Sequence, residues 1–94
     1  MFIFINRLTV FGDTQEFEER LSGISEYMSA QPGFGSYRLY RSAADSAVYV
    51  ETAEWADADS HQRATQGEGF RSRIGEVLRL ATAEPAPFEL VGSR

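Results

Sequence analysis

Three side chains in this sequence are chemically out of keeping with their surroundings. Asn6 is a polar amide inside the apolar run Phe2-Ile3-Phe4-Ile5-Asn6-Arg7-Leu8-Thr9-Val10. Trp55 is the only tryptophan and His61, six residues on, the only histidine. A buried amide needs hydrogen-bond partners for its oxygen and both protons. An indole offers a wide apolar face and one N–H donor. An imidazole titrates near neutrality and can take a proton from an acidic substrate. The reading developed from these three is that they surround one pocket, and that the pocket is the function. Glu51 lies four residues before Trp55, on the same face of an extended segment, as does Tyr49.

Composition removes several other chemistries. The chain has 94 residues, 14 acidic against 9 basic, and a net charge of −5. That balance disfavours nucleic acid, whose affinity comes largely from cations on phosphate, and an anionic membrane surface. There is no cysteine, so thiolate catalysis, disulfides and Cys-ligated metals are excluded. There is no lysine for a Schiff base. One histidine and no spaced carboxylate cluster leave no metal site to expect. The opening apolar run is too short and too soon interrupted to span a membrane or direct secretion, so the expected compartment is the cytoplasm. The length predicts one domain over residues 1–94, and 43% apolar residues suffice for a core. So small a chain with an uncovered sheet face predicts a homodimer.

The positioning elements are legible in the spacing. Residues 2–10 read as a strand with Phe4, Asn6 and Leu8 on one face and Ile3, Ile5 and Arg7 on the other. Asp13 is placed to cap a helix, with Glu16 three residues on. Phe17, Leu21, Ile24 and Met28 mark that helix's apolar face, and Gln31-Pro32-Gly33 stops it. Phe34 to Arg41 and Val48 to Trp55 read as a hairpin around the small, polar Ser42–Ser46 turn. Asp57 opens a short helix to about Thr65. Gly67 and Gly69 bracket a break, and Phe70, Ile74, Val77, Leu78 and Ala81 predict a longer helix. Pro85 and Pro87 end it, leaving Phe88 to Val91 as the last strand. The order is βαββαβ, an α+β ferredoxin-like arrangement with a four-stranded antiparallel sheet and helices on one face.

The segments Asn6-Arg7-Leu8-Thr9-Val10, Gln31-Pro32-Gly33-Phe34, Leu39-Tyr40-Arg41-Ser42, Ala53-Glu54-Trp55 and Glu68-Gly69-Phe70-Arg71 occur in an order that resembles the antibiotic biosynthesis monooxygenase family. The resemblance covers almost the whole chain. It implies the dimeric α/β-barrel superfamily, in which two sheets pack face to face and each subunit holds a pocket between helices and sheet. Family members that tailor aromatic polyketides oxidise a phenolic ring to a quinone with dioxygen and no flavin, haem or metal.

By that resemblance Asn6 orients the substrate, Trp55 holds a substrate or peroxide oxygen, and His61 stands where a tyrosine can occur and acts as base. Glu51 stands where part of that branch has asparagine; a carboxylate cannot donate a hydrogen bond unless protonated, and buried beside Arg71 or Arg73 it would form a structural ion pair. Arg71 and Arg73 are the nearest matches to a catalytic arginine on the last helix, Arg73 as an oxyanion stabiliser and Arg71 as a substrate contact. Tyr49 and Phe70 complete the expected substrate contacts. A second branch degrades haem, but it needs a histidine on the last helix, where Ile74 stands, and a tryptophan where Ala64 stands. The leading expectation is therefore a cofactor-independent monooxygenase acting on an aromatic phenol or anthrone. The alternatives are a non-redox polyketide cyclase or isomerase, and a non-catalytic small-molecule binder.

Overall fold

An apolar strand with both faces occupied belongs in the middle of a sheet, and that is where the opening segment lies. A computed structural model describes residues 1–94. Its elements are β1 (Phe2–Val10), α1 (Thr14–Ser29), β2 (Phe34–Arg41), β3 (Val48–Trp55), α2 (Ala58–Gln66), α3 (Glu68–Leu78) and β4 (Ala81–Phe88). The sheet order is β2-β3-β1-β4 and every neighbouring pair is antiparallel. This is the ferredoxin-like arrangement, with the second helical segment divided into α2 and α3. No helix is long and apolar enough to cross a membrane.

Helix boundaries follow local chemistry. The Asp13 carboxylate accepts from the backbone N–H of Gln15 at 2.8 Å and of Glu16 at 3.4 Å, satisfying two donors that the first turn of α1 leaves free. Asp57 does the same for α2 through Ser60 N–H at 2.8 Å. Gly33, with φ of 87°, takes the left-handed turn that leads into β2. Gly67 alone makes the break, in extended conformation, and Gly69 lies inside α3. Gly69 is needed there because the Tyr27 ring lies where its Cβ would go.

The C-terminal boundary differs from the sequence reading. The longer helix stops at Leu78, Ala81 is already in β4, and the strand runs 81–88 instead of 88–91. Pro85 and Pro87 lie within it. β4 is an edge strand, and residues two apart point their backbone nitrogens to the same side, so both prolines can lack an N–H without breaking the ladder. Pairing with β1 from Ile3↔Phe88 to Val10↔Ala81 outweighs a sequence poor in strand formers.

The helices cover the face of β1 that carries Leu8 and Val10. These pack with Phe17, Leu21 and Ile24 of α1, Tyr49 of β3, Val77 of α3 and Ala81. Burying each large apolar side chain here contributes about 1.5–3 kcal/mol. A second cluster holds Ala53, Trp55 and Ala64, with Phe2, Phe4 and Phe34 against it. The Asn6↔Glu51 rung lies between them, flanked by Phe4↔Ala53 and Leu8↔Tyr49. The core is thus split at its one polar rung. The opposite sheet face carries Ile3, Ile5, Arg38, Tyr40, Thr52 and Glu54, and no helix covers it.

Candidate functional site

Period-two alternation puts Asn6 and Glu51 on the helix-facing side, and antiparallel register sets them directly opposite each other. Asn6 Nδ2 donates to Glu51 Oε2 at 2.8 Å. Asn6 Oδ1 accepts from the backbone N–H of Glu84 at 3.0 Å, so the amide is clamped between β3 and β4. The second carboxylate oxygen, Glu51 Oε1, accepts from the Tyr37 hydroxyl of β2 at 2.9 Å. One buried carboxylate therefore receives one donor on each oxygen, from strands on either side. No arginine pairs with it. The sequence reading allowed an ion pair with Arg71 or Arg73, and the amide and phenol take that place.

Above this row is a cavity of about 350 Å³, within the usual range of small-molecule pockets. Twelve of its eighteen lining residues are hydrophobic, and none is Arg or Lys. Asn6, Glu51, Trp55, His61 and Phe70 all line it, so five of the eight expected site residues come together. Leu78 and Pro85 line it while remaining exposed, which places the mouth between the end of α3 and β4.

An aromatic wall closes one end. Trp55 is 2% exposed, with the Phe34 ring edge-on at 5.5 Å. Phe34 reaches this face because the β2–β3 register shifts between Phe34 and Ser36, placing Phe34 and Tyr37 on one side despite their odd spacing. The His61 ring lies 5.1 Å from Phe2, 4.8 Å from Phe4 and 5.5 Å from Trp55, centroid to centroid. No hydrogen bond to the protein ties down the indole N–H of Trp55 or either nitrogen of His61, and both side chains line the cavity.

This environment sets the protonation equilibria. Burial pushes the Glu51 carboxyl above the ordinary carboxylate range, and the hydrogen bonds from Asn6 and Tyr37 only partly offset it. Burial, followed by the adjacent Glu51 charge and its hydrogen bond, holds the Tyr37 phenol protonated far into the alkaline range. Burial lowers the His61 pKa, so the imidazole is neutral at ordinary pH. Nowhere do three His, Asp or Glu side chains group as ligands for a metal ion.

The sequence model of the antibiotic biosynthesis monooxygenase family matches residues 1–74. This chain belongs to that family. It is 34% identical to deoxynogalonate monooxygenase of Streptomyces nogalater over 85 residues, covering 90% of this chain and 72% of the relative. The crystal structure of SnoaB, a cofactor-independent oxygenase from Streptomyces nogalater, superimposes with a TM-score of 0.94 at 32% identity, covering 98% of this chain and 94% of the other. A Pseudomonas aeruginosa protein shares the fold at 21% identity and a TM-score of 0.79, covering 97% and 94%.

Against this family background, three expected site residues stand outside the cavity. Tyr49 points to the helix side but into the main core, 4.9 Å from Phe17 between ring centroids, with its hydroxyl donating to Glu18. Arg71 is exposed on α3. Arg73 is exposed too; it donates to Gly69 O at 2.7 Å and lies 5.9 Å above the Tyr27 ring. The pocket-facing side of α3 is Phe70, Ile74 and Leu78, and the arginines at 71 and 73 fall off that stripe. Tyr37 is the polar residue the sequence reading left out. Its reach to Glu51 depends on the shifted hairpin register.

Proposed function

We propose that this protein is a cofactor-independent monooxygenase that oxidises an aromatic, polyketide-type phenol or anthrone to a quinone with dioxygen, in antibiotic biosynthesis. The observation that carries this reading is the junction of a fixed polar row, Asn6–Glu51–Tyr37, with an apolar, cation-free cavity walled by Trp55 and His61. Membership of the monooxygenase family supports it.

The chemistry needs little from the protein beyond desolvation, positioning and proton transfer, because the substrate supplies the electrons. Removing one proton from the ring methylene of an anthrone, or from its phenol tautomer, leaves an electron-rich anion. The anion gives an electron to dioxygen, and the radical pair joins to form a carbon–oxygen bond. Protonation of the distal oxygen gives a hydroperoxide. Loss of the second ring proton breaks the oxygen–oxygen bond, leaving a carbonyl on carbon and the distal oxygen as water. One dioxygen and two hydrogens thus give one quinone oxygen and one water.

The residues match these needs. The Asn6 amide, held by Glu51 and Glu84, offers a rigid polar contact to a ring oxygen. The Trp55 N–H, with no protein partner, is available to the oxygen adduct. Phe4, Phe34 and Phe70 offer apolar faces to a fused ring system. The proton acceptor must also line the cavity, and His61 and Glu51 are the candidates. The protein works in the cytoplasm as a homodimer, whose second copy covers the open sheet face carrying Ile3, Ile5 and Tyr40. Light scattering that reports a monomer would remove that part.

Oxygen uptake by chelator-treated protein with a panel of anthrones tests the reading. Uptake matched by quinone formation supports it. Turnover that continues under strict anaerobiosis would point instead to a cyclase or isomerase, and no uptake on any ring system would remove the oxygenase reading.

A further inference from the structure

Resting on that functional reading, we propose that Glu51 is the catalytic base, taking the first proton from the substrate carbon acid and returning it to the oxygen adduct. The geometry distinguishes Glu51 from His61. Each Glu51 oxygen receives one fixed donor, Asn6 Nδ2 at 2.8 Å and Tyr37 OH at 2.9 Å. A carboxylate has about four acceptor positions, so each oxygen keeps one free, and the side chain lines the cavity. A base whose orientation is set from two sides is ready for proton transfer. His61 has the opposite character: its ring packs among Phe2, Phe4 and Trp55 with no protein hydrogen bond to choose its tautomer.

The electrostatics agree. Glu51 is 8% exposed and has no cation beside it, although nine arginines are available in the chain. Placing a buried carboxylate against an apolar cavity without a counter-ion is costly for folding. Desolvation raises its proton affinity, which makes it a stronger base than a carboxylate in water. Once protonated, the same group becomes a donor, which the hydroperoxide step requires.

Proton balance then closes on one residue. Glu51 takes a proton from carbon, gives it to the distal peroxide oxygen, takes the second ring proton as the carbonyl forms, and delivers it to the departing hydroxide as water. Tyr37 and Asn6 are positioning residues for this base.

The test separates proton transfer from oxidation. Wild-type, Glu51→Gln and His61→Leu proteins are incubated with anthrone in D₂O without oxygen, and exchange of the ring methylene is followed by NMR. Quenching of Trp55, the only tryptophan, checks that each variant binds the ring. Glu51→Gln should lose about 10²–10⁴-fold in exchange while still binding, and its loss should exceed that of His61→Leu by at least about ten-fold. The wild-type rate should rise with pH as Glu51 ionises and then level off, and Glu51→Gln should lack that rise. The titratable groups able to shape this profile are Tyr37 from β2 and His61 from α2. The cavity-facing residues of α1 and α3 do not titrate, and from β4 only the backbone N–H of Glu84 enters the row. Exchange retained in Glu51→Gln, or lost in His61→Leu alone, overturns the assignment while leaving the oxygenase reading to its own oxygen-uptake assay. Exchange that depends on Glu51 without any oxygen uptake keeps the base and removes the oxygenase. A wild type that neither exchanges nor takes up oxygen removes both.

Discussion

Replacing Asn6 with alanine should destabilise the fold more at pH 8 than at pH 4.5, and the difference can be worked from three bonds. Asn6 donates to Glu51 at 2.8 Å and accepts from Glu84 N–H at 3.0 Å, while Tyr37 holds the other Glu51 oxygen at 2.9 Å. A hydrogen bond to a charged group contributes about 1.5–3 kcal/mol and a neutral one about 0.5–1.5. With Glu51 ionised, the variant should lose about 2–4.5 kcal/mol. Once Glu51 is protonated both bonds are of the neutral kind, and the loss should fall to about 1–3 kcal/mol. The sign follows from the upward displacement of Glu51's pKa. Its favourable contribution is complete below the unfolded value of about 4.3 and is lost as pH rises through the folded value. Asn6 limits that loss by stabilising the anion, so removing it deepens the loss at high pH. For a chain of this size each kcal/mol moves Tm by about 4–8 °C. Urea unfolding at the two pH values, repeated in a Glu51→Gln background, is the assay. In that background the cost of Asn6→Ala should not change with pH. An equal cost at both pH values in the native background would refute the claim that Asn6 stabilises a buried anion.

Other perturbations test the rest of the site. Trp55→Phe keeps an aromatic wall but removes the indole donor, so kcat/KM for anthrone should fall at least about ten-fold, or ~1.4 kcal/mol, while ring binding persists. Arg71→Ala and Arg73→Ala should each leave kcat within about two-fold, well under 1 kcal/mol, because both side chains are exposed outside the cavity; a hundred-fold loss would show that the helix turns them inward with substrate. Gly69→Ala should destabilise by about 1–3 kcal/mol through overpacking against the Tyr27 ring, read as a lower urea midpoint, and no change would mean that Tyr27 can step aside.

Much of the fold was legible because local signals agreed with one another. The Asp13 and Asp57 caps, the Phe17–Met28 stripe and the alternating third strand each pointed to the element observed. The C-terminal strand was not legible, since its prolines are local breakers and only the pairing with β1 makes them admissible. The site was partly legible for a related reason. Asn6, Glu51, Trp55 and His61 are set by strand alternation and by the helix that follows Trp55, so one register places them all. Arg71 and Arg73 were misplaced because their position depends on where α3 begins relative to the cavity, and one residue turns a helical side chain by about 100°. Tyr37 was missed because a one-residue irregularity beside Gly35 decides which strand face it shares. Glu51 was read as an impaired asparagine replacement or an ion-pair partner, and only the cation-free cavity around it gives the carboxylate a use of its own.

The most direct test of the central claim follows the oxygen atoms. Chelator-treated protein should be given an anthrone under ¹⁸O₂ in unlabelled water, with the quinone analysed by mass spectrometry before its carbonyls can exchange. One labelled oxygen per quinone is expected, the second atom of each dioxygen leaving as water, at a rate unaffected by the chelator. A quinone carrying no label, or one whose new oxygen comes from labelled water instead, would contradict that claim.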